Sequence, residues 1–304
     1  MLIVNWKKLN DKKVDDKWAS GFFPDTLKTT NRYFTTEADC YIQFNIYNPY
    51  LNNKKNNLYK HILESKKPFL VVEEGAFRQF PNYKRIGWTS YKNGIGNFNN
   101  KNVDNSRWKR FCKDTNLSIK DWHSPGDNIL IMGQLEGDSS LIEMYDAGYN
   151  SFSEYVLEKI YEIRQYTDRP IVIRPHPKTV NSFNSIVEKI KDLKNISISK
   201  NFSNDSKDLI NGGAGLNRDF KKAYCVVTYS SNSAVESVCK GIPTFALSPT
   251  SSAYDVSHNN LSQIENLDYN KKISNWCNSI AYTIWNDDEI KRGLMWKHLK
   301  QVII

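Results

Sequence analysis

The second half of the chain alternates short apolar runs with longer amphipathic stretches, and that alternation leaves few folds open. Residues 128–132, 170–173, 223–228 and 242–247 read as strands from their compact, mostly apolar runs, and 196–199 as a further short strand. Between them, 153–166, 182–193 and 231–239 carry helical spacing, with Ser153 and Ser231 as expected N-caps and Gly241 as a stop. Residues 274–285 and 288–302 close the chain as two further helices. Strand–helix units of this length predict an α/β fold, a parallel sheet wrapped by helices. Ligands of such sheets bind outside the carboxyl ends of the strands. That rule puts Arg174–His176 and Tyr229–Asn232 on one ligand-facing edge.

The first half is less regular. Residues 2–4, 41–47 and 68–72 read as strands, 57–65 as a helix and 92–106 as a loop. The turn Pro125-Gly126 divides the halves, so two domains are expected, 1–126 and 127–287, with a last helix over 288–304 packing back on the first. Charge divides at the same place. Residues 1–127 hold 22 Lys/Arg against 13 Asp/Glu, a net of +9, and the remainder holds 20 of each. A polyanionic partner for the first half, or a lysine-rich solvated surface, would account for this.

No apolar run approaches the roughly 18 residues a membrane span needs, and the opening residues do not follow a signal-peptide pattern. A cytoplasmic protein is expected. The five cysteines are odd in number and widely spaced, which speaks against a disulfide framework and a zinc site. P-loop, HExxH, GxSxG and strand-borne GxGxxG patterns are all absent, as is an Asp-x-Asp pair for holding a metal on a diphosphate. Gly212, Gly213 and Gly215 read as a flexible turn, with a phosphate-binding loop as the alternative.

Two stretches carry chemistry. Arg174-Pro175-His176-Pro177-Lys178 follows a strand directly; its prolines fix the backbone around His176, and Arg174, His176 and Lys178 supply phosphate donors. In Thr228–Glu236 a strand ends at hydroxyl residues and a helix begins, a place where free N–H groups favour phosphate. Glu236, one turn further in, has the acceptor oxygens to take ribose hydroxyls.

These stretches occur in a familiar order. Gly133-Gln134-Leu135-Glu136-Gly137-Asp138-Ser139-Ser140, Arg174-Pro175-His176-Pro177, Ser230–Glu236 with Gly241-Ile242-Pro243, and upstream Val72-Glu73-Glu74-Gly75-Ala76-Phe77-Arg78 together resemble the capsule-polysaccharide biosynthesis family, which includes the β-Kdo transferases. The resemblance runs from about residue 70 to 250. It implies a GT-B glycosyltransferase, with two Rossmann-like domains facing a cleft, the acceptor on the first and a nucleotide sugar, UDP- or CMP-linked, on the second. It implies no metal and no further cofactor. On the donor side it implies Arg174, His176 and Lys178 at the phosphates, Ser230, Ser231, Asn232 and Glu236 at phosphate and ribose, and Gln134, Asp138 and Ser139 along the interdomain edge. Glu74, where the family usually has Asp, is then the catalytic base or nucleophile, with Glu73 as its alternate, and Arg78 an acceptor contact.

The acceptor is read from the basic half. The chain is rich in Asn and Lys, as AT-rich genomes, many bacteriophages among them, encode. Phage glycosyltransferases modify hydroxymethylated cytosine in DNA, and an enzyme acting on a base must flip it from the stack. Lys84, Arg85, Trp88, Arg107, Trp108, Lys109 and Arg110 interleave cations with aromatics suited to duplex DNA; the plain alternative is solvated charge beside core tryptophans. A capsule or surface-polysaccharide acceptor is the second expectation, and a non-catalytic nucleic-acid-binding protein on the same frame the third.

Overall fold

The computed structural model describes residues 4–6, 29–30, 40–50, 60, 62–176, 184–201, 214–269 and 273–303. The chain divides into two compact units. One comprises Met1–Ala76, Phe80–Thr115 and Ser274–Ile304, the other Phe77–Gln79 and Asn116–Ile273. The main crossing thus falls at 115/116 and the return at 273/274, where the sequence reading placed them at 126/127 and 287/288.

In chain order the first unit contributes β1 (Val4–Trp6), β2 (Thr29–Thr30), β3 (Cys40–Phe44), β4 (Phe69–Glu74), β5 (Tyr83–Trp88) and α1 (Ser106–Thr115). The second contributes β6 (Asn128–Met132), α2 (Ile142–Asp146), α3 (Phe152–Arg164), β7 (Ile171–Arg174), α4 (Asn184–Ile190), β8 (Ile196–Ile198), α5 (Ala214–Phe220), β9 (Ala223–Thr228), α6 (Ser233–Cys239) and β10 (Thr244–Ala246). The chain then returns to the first with α7 (Ser274–Ala281), β11 (Ile284–Asn286), α8 (Asp287–Lys291) and α9 (Leu294–Leu299).

The second unit's sheet runs β10-β9-β6-β7-β8, with every pairing parallel. Helices cover both faces of its central strands β6, β7 and β9, which is why these are continuous apolar runs, while edge strand β8 leaves Ser197 exposed. Alternation sorts them: Ile129, Ile131, Ile171, Ile173, Cys225 and Val227 pack with Phe152, Val156 and Ile160 of α3, while Leu130, Met132 and Val226 meet Leu216 and Phe220 of α5. Ser151, not Ser153, caps α3, its side chain accepting from the Glu154 amide. Gly215 lies inside α5 rather than in a turn, and Gly212, Gly213 and Lys178 fall outside the described residues. Gly241 ends α6 with φ 73°, and a Cβ there would stand 2.1 Å from the Asp121 carbonyl oxygen, so only glycine fits.

The first unit's sheet runs β11-β5-β4-β3-β1-β2. β5 and β11 are antiparallel additions to an otherwise parallel sheet. Cys40, Ile42, Leu70, Val72, Ile86 and Trp88 of one face pack against Trp285, Ile290, Met295, Trp296 and Leu299. The C-terminal segment therefore completes this unit's core, and does so from residue 274 onward. Among the described residues no helix is long and apolar enough to cross a membrane.

Candidate functional site

Within the second unit the chain passes from β6 outward through β7 to β8, then crosses back to place β9 and β10 on the other side of β6. The connections after β6 and after β9 thus leave in opposite directions. This is the topological switch point at which doubly wound sheets open a crevice for ligand. Two expected site residues stand there. Gln134, two residues past β6, accepts from the Ser230 amide (2.8 Å) and donates to the Ser230 hydroxyl (3.1 Å) and the Ser140 hydroxyl (3.2 Å). Ser230, two residues past β9, donates to the Ser140 carbonyl (3.0 Å). Asp138 caps the turn by accepting from the Ser140 amide (2.9 Å), and Ser139 is buried beside it. Gln134 and Asp138 therefore act as clamps on the loops. Ser140, which closes the Gly133–Ser140 motif but was not among the expected site residues, is their common partner.

On the same carboxyl edge Ser231 takes bonds from the Ser233 amide and hydroxyl, and its own amide donates to Thr228 Oγ1. Asn232 occupies the N-cap position of α6 without a side-chain capping bond. Glu236 is 7 % exposed. Burial raises its carboxyl above the ordinary carboxylate range, opposed by the positive charges of Lys240, Arg78 and Arg174. Among the described residues it has no hydrogen-bond donor, so its acceptor oxygens stand ready for hydroxyl donors from elsewhere. Arg174 is buried and turned inward to the Asp219 carboxylate and the Asn201 carbonyl. His176 is half-buried at the end of the same strand extension.

In the first unit, Glu73 and Glu74 are the last residues of β4 and point to opposite faces of the sheet. Glu73 is half-buried and accepts from the Glu74 amide (2.8 Å); Glu74 is exposed. Their cross-strand neighbours are Arg85 and Lys84. Arg78 is exposed and groups with the second unit.

Several expected acceptor contacts are structural instead. Trp88 is 1 % exposed and donates its indole N–H to the Leu299 carbonyl (2.9 Å). Arg85 is buried, its Nε donating to the Glu74 carbonyl (3.2 Å), with its guanidinium over Tyr91. Arg107 is 8 % exposed; it forms a two-pronged pair with Glu289, donates to the carbonyls of Ala281 and Ile284, and lies 3.7 Å from the Trp285 ring centre. These three cannot meet DNA without unfolding. Lys84 reaches the Pro81 carbonyl, Trp108 is half-buried against Phe111, Lys109 is exposed on α1, and Arg110, also exposed, pairs with Glu289 at 3.2 Å. Among the described residues no cluster of His, Cys, Asp or Glu is placed to hold a metal ion.

No protein-family model matches this sequence, and no curated protein matches it. Among solved structures, the chain is similar to Thermosulfurimonas dismutans KpsC, a beta Kdo 2,7 transferase, with a TM-score of 0.51 and 12% identity over 97% of this chain and 98% of that one. That likeness extends over both units, and it shows a shared α/β fold.

Proposed function

We propose that this chain is a glycosyltransferase that binds a nucleotide sugar at the carboxyl edge of its second unit. The observation that carries the reading is the switch point itself. The loops after β6 and β9 are pinned together by Gln134 and Ser230, on the same edge as the buried carboxylate of Glu236, to which no described residue donates a hydrogen bond. A nucleotide has matching parts: phosphate oxygens for His176 and the Ser231–Asn232 turn, ribose hydroxyls for Glu236. The shared fold with a beta Kdo 2,7 transferase supports the same reading. Glu74 supplies the carboxylate for the acceptor reaction, as base or nucleophile, with Glu73 as its alternate.

The acceptor we propose is a hydroxymethylated base in duplex DNA, supported by the confinement of the whole net charge of +9 to residues 1–127. Exposed Lys109 and Arg110 then meet phosphate, with Lys84 and Trp108 at the margin. One experiment tests both levels. The protein is incubated with UDP- and CMP-sugars and with either hydroxymethylated duplex DNA or an acidic oligosaccharide, and the products are weighed by mass spectrometry. A sugar mass on DNA supports both proposals. A sugar mass on the oligosaccharide alone moves the acceptor to a surface polysaccharide. No transfer and no nucleotide binding overturns the glycosyltransferase reading.

A further inference from the structure

Behind the phosphate-facing turn lies a buried polar cluster that the proposed reaction does not itself use. Asp219, on α5, is 6 % exposed. Its carboxylate takes Arg174, the Ser199 hydroxyl (2.7 Å) and the Asn201 side-chain amide (2.7 Å). Arg174 also donates to the Asn201 carbonyl (3.1 Å), and the Asn201 amide donates to Ser199 Oγ (3.1 Å). The end of β7, the residues after β8 and helix α5 are thereby tied to one carboxylate. Gly215 permits the approach: a Cβ there would stand 2.0 Å from the Asn201 carbonyl oxygen and 3.4 Å from Arg174 Nη2.

A cation in such a place needs its counter-charge, because a buried charge left alone is strongly unfavourable. With its charge answered from inside the unit, Arg174 is a poor contact for a donor phosphate. It is well placed to fix the backbone that carries His176, two residues on. We propose that Asp219 is a positioning residue: through Arg174 it holds the Arg174–His176 turn so that His176 meets the donor phosphate. This rests on the donor-site reading above, and nothing local in the sequence around Asp219 announces it.

The test is a double-mutant cycle on nucleotide binding, measured by calorimetry with UDP and with CMP as probes. Asp219→Asn keeps the side-chain shape and removes the charge that holds Arg174. It is expected to weaken binding about tenfold, or ~1.4 kcal/mol. In the His176→Ala background the same change is expected to cost nothing further, since the contact it positions is already gone. A general loosening of the unit would instead weaken binding equally in both backgrounds. Full additivity, or unchanged affinity in Asp219→Asn alone, overturns the proposal. If His176→Ala by itself leaves affinity unchanged, the donor-site reading fails and this inference with it. Should Asp219→Asn not fold, Ser199→Ala removes one bond to the same carboxylate. It is expected to weaken binding about threefold in the wild-type background and not at all with His176→Ala; equal losses in both would again overturn the proposal.

Discussion

Glu236 carries opposite consequences for stability and for binding. Burial lifts its carboxyl above the ordinary carboxylate value. Between that value and the raised one, the folded state keeps a proton that the unfolded chain has released, so stability falls as pH rises through the interval. Below the ordinary value, 4.5, both states are protonated and nothing is lost. Glu236→Gln is therefore expected to melt higher than wild type at neutral pH and level with it in acid. The same variant is expected to bind nucleotide about tenfold or more weakly, having lost a charged acceptor. Thermal melts across pH, paired with calorimetry, check both; a neutral-pH melt below wild type would contradict the burial argument. Glu74 differs, being exposed at the end of its strand. Glu74→Gln is expected to leave folding and nucleotide affinity intact and to slow turnover by at least ~10²-fold. Normal turnover would shift attention to Glu73. Gln134 and Ser230, which meet at the switch point, were legible because each lies two residues past an apolar strand, where backbone topology decides position. Arg85, Trp88 and Arg107 were not legible. A cation's sequence neighbours do not reveal whether it is buried, and Arg107's partner Glu289 lies 182 residues away.

Elements were readable in proportion to how uniformly they are buried. The central strands β6, β7 and β9 are covered on both faces, so each appears as a nearly unbroken apolar run, whereas edge strand β8 reads Ile-Ser-Ile with Ser197 exposed. β5 was hidden because Tyr-Lys-Arg-Ile-Gly-Trp mixes cations into a strand whose Arg85 is nonetheless buried. The expected helix over 274–285 ends at Ala281, and β11 begins at Ile284, where antiparallel pairing with β5 overrides helical spacing. The expected helix over 288–302 is broken at Gly293, whose φ of 69° no helix interior accepts. Two α1 cations, buried Arg107 and half-exposed Arg110, pair with Glu289 of these late elements, at 2.8 and 3.2 Å. The side chain of Glu289 also closes a capping box at the start of α8. Arg107→Ala is expected to destabilise the first unit by about 1–3 kcal/mol, because the buried Glu289 carboxylate loses its two-pronged partner and keeps only the half-exposed Arg110, 3.2 Å away. Denaturant unfolding followed by tryptophan fluorescence reads this directly, since Trp285 lies under the guanidinium. A loss below about 1 kcal/mol, the range of exposed ion pairs, would mean that the pair is wet in solution.

At the scale of the whole molecule, charge and chain path sort together. All the net positive charge belongs to residues 1–127, most of which fall in the discontinuous first unit, while residues 128–304 balance. A nucleotide needs only a few local charges, whereas a duplex presents a line of phosphates that rewards many dispersed ones. With Arg85 and Arg107 withdrawn into the core, the exposed cations of α1 are Lys109, Lys113 and Arg110, the last also 3.2 Å from the Glu289 carboxylate. If they neutralise phosphates, log K for a DNA duplex is expected to fall linearly with log salt, with a slope near −0.9 for each contact. Lys109, Arg110 and Lys113 changed together to Ala are expected to flatten that slope by about 0.9 for each contact removed and to leave nucleotide affinity as it was. Arg107→Ala, by contrast, is expected to lower stability without a separate effect on the slope of the folded fraction. Fluorescence anisotropy of a labelled duplex from low to physiological salt distinguishes the two variants. An unchanged slope in the triple variant, with weak binding at physiological salt, would remove DNA as the acceptor. The basic surface would then be one that repels like charges or meets an acidic polysaccharide, and the donor edge of the second unit would stand as before.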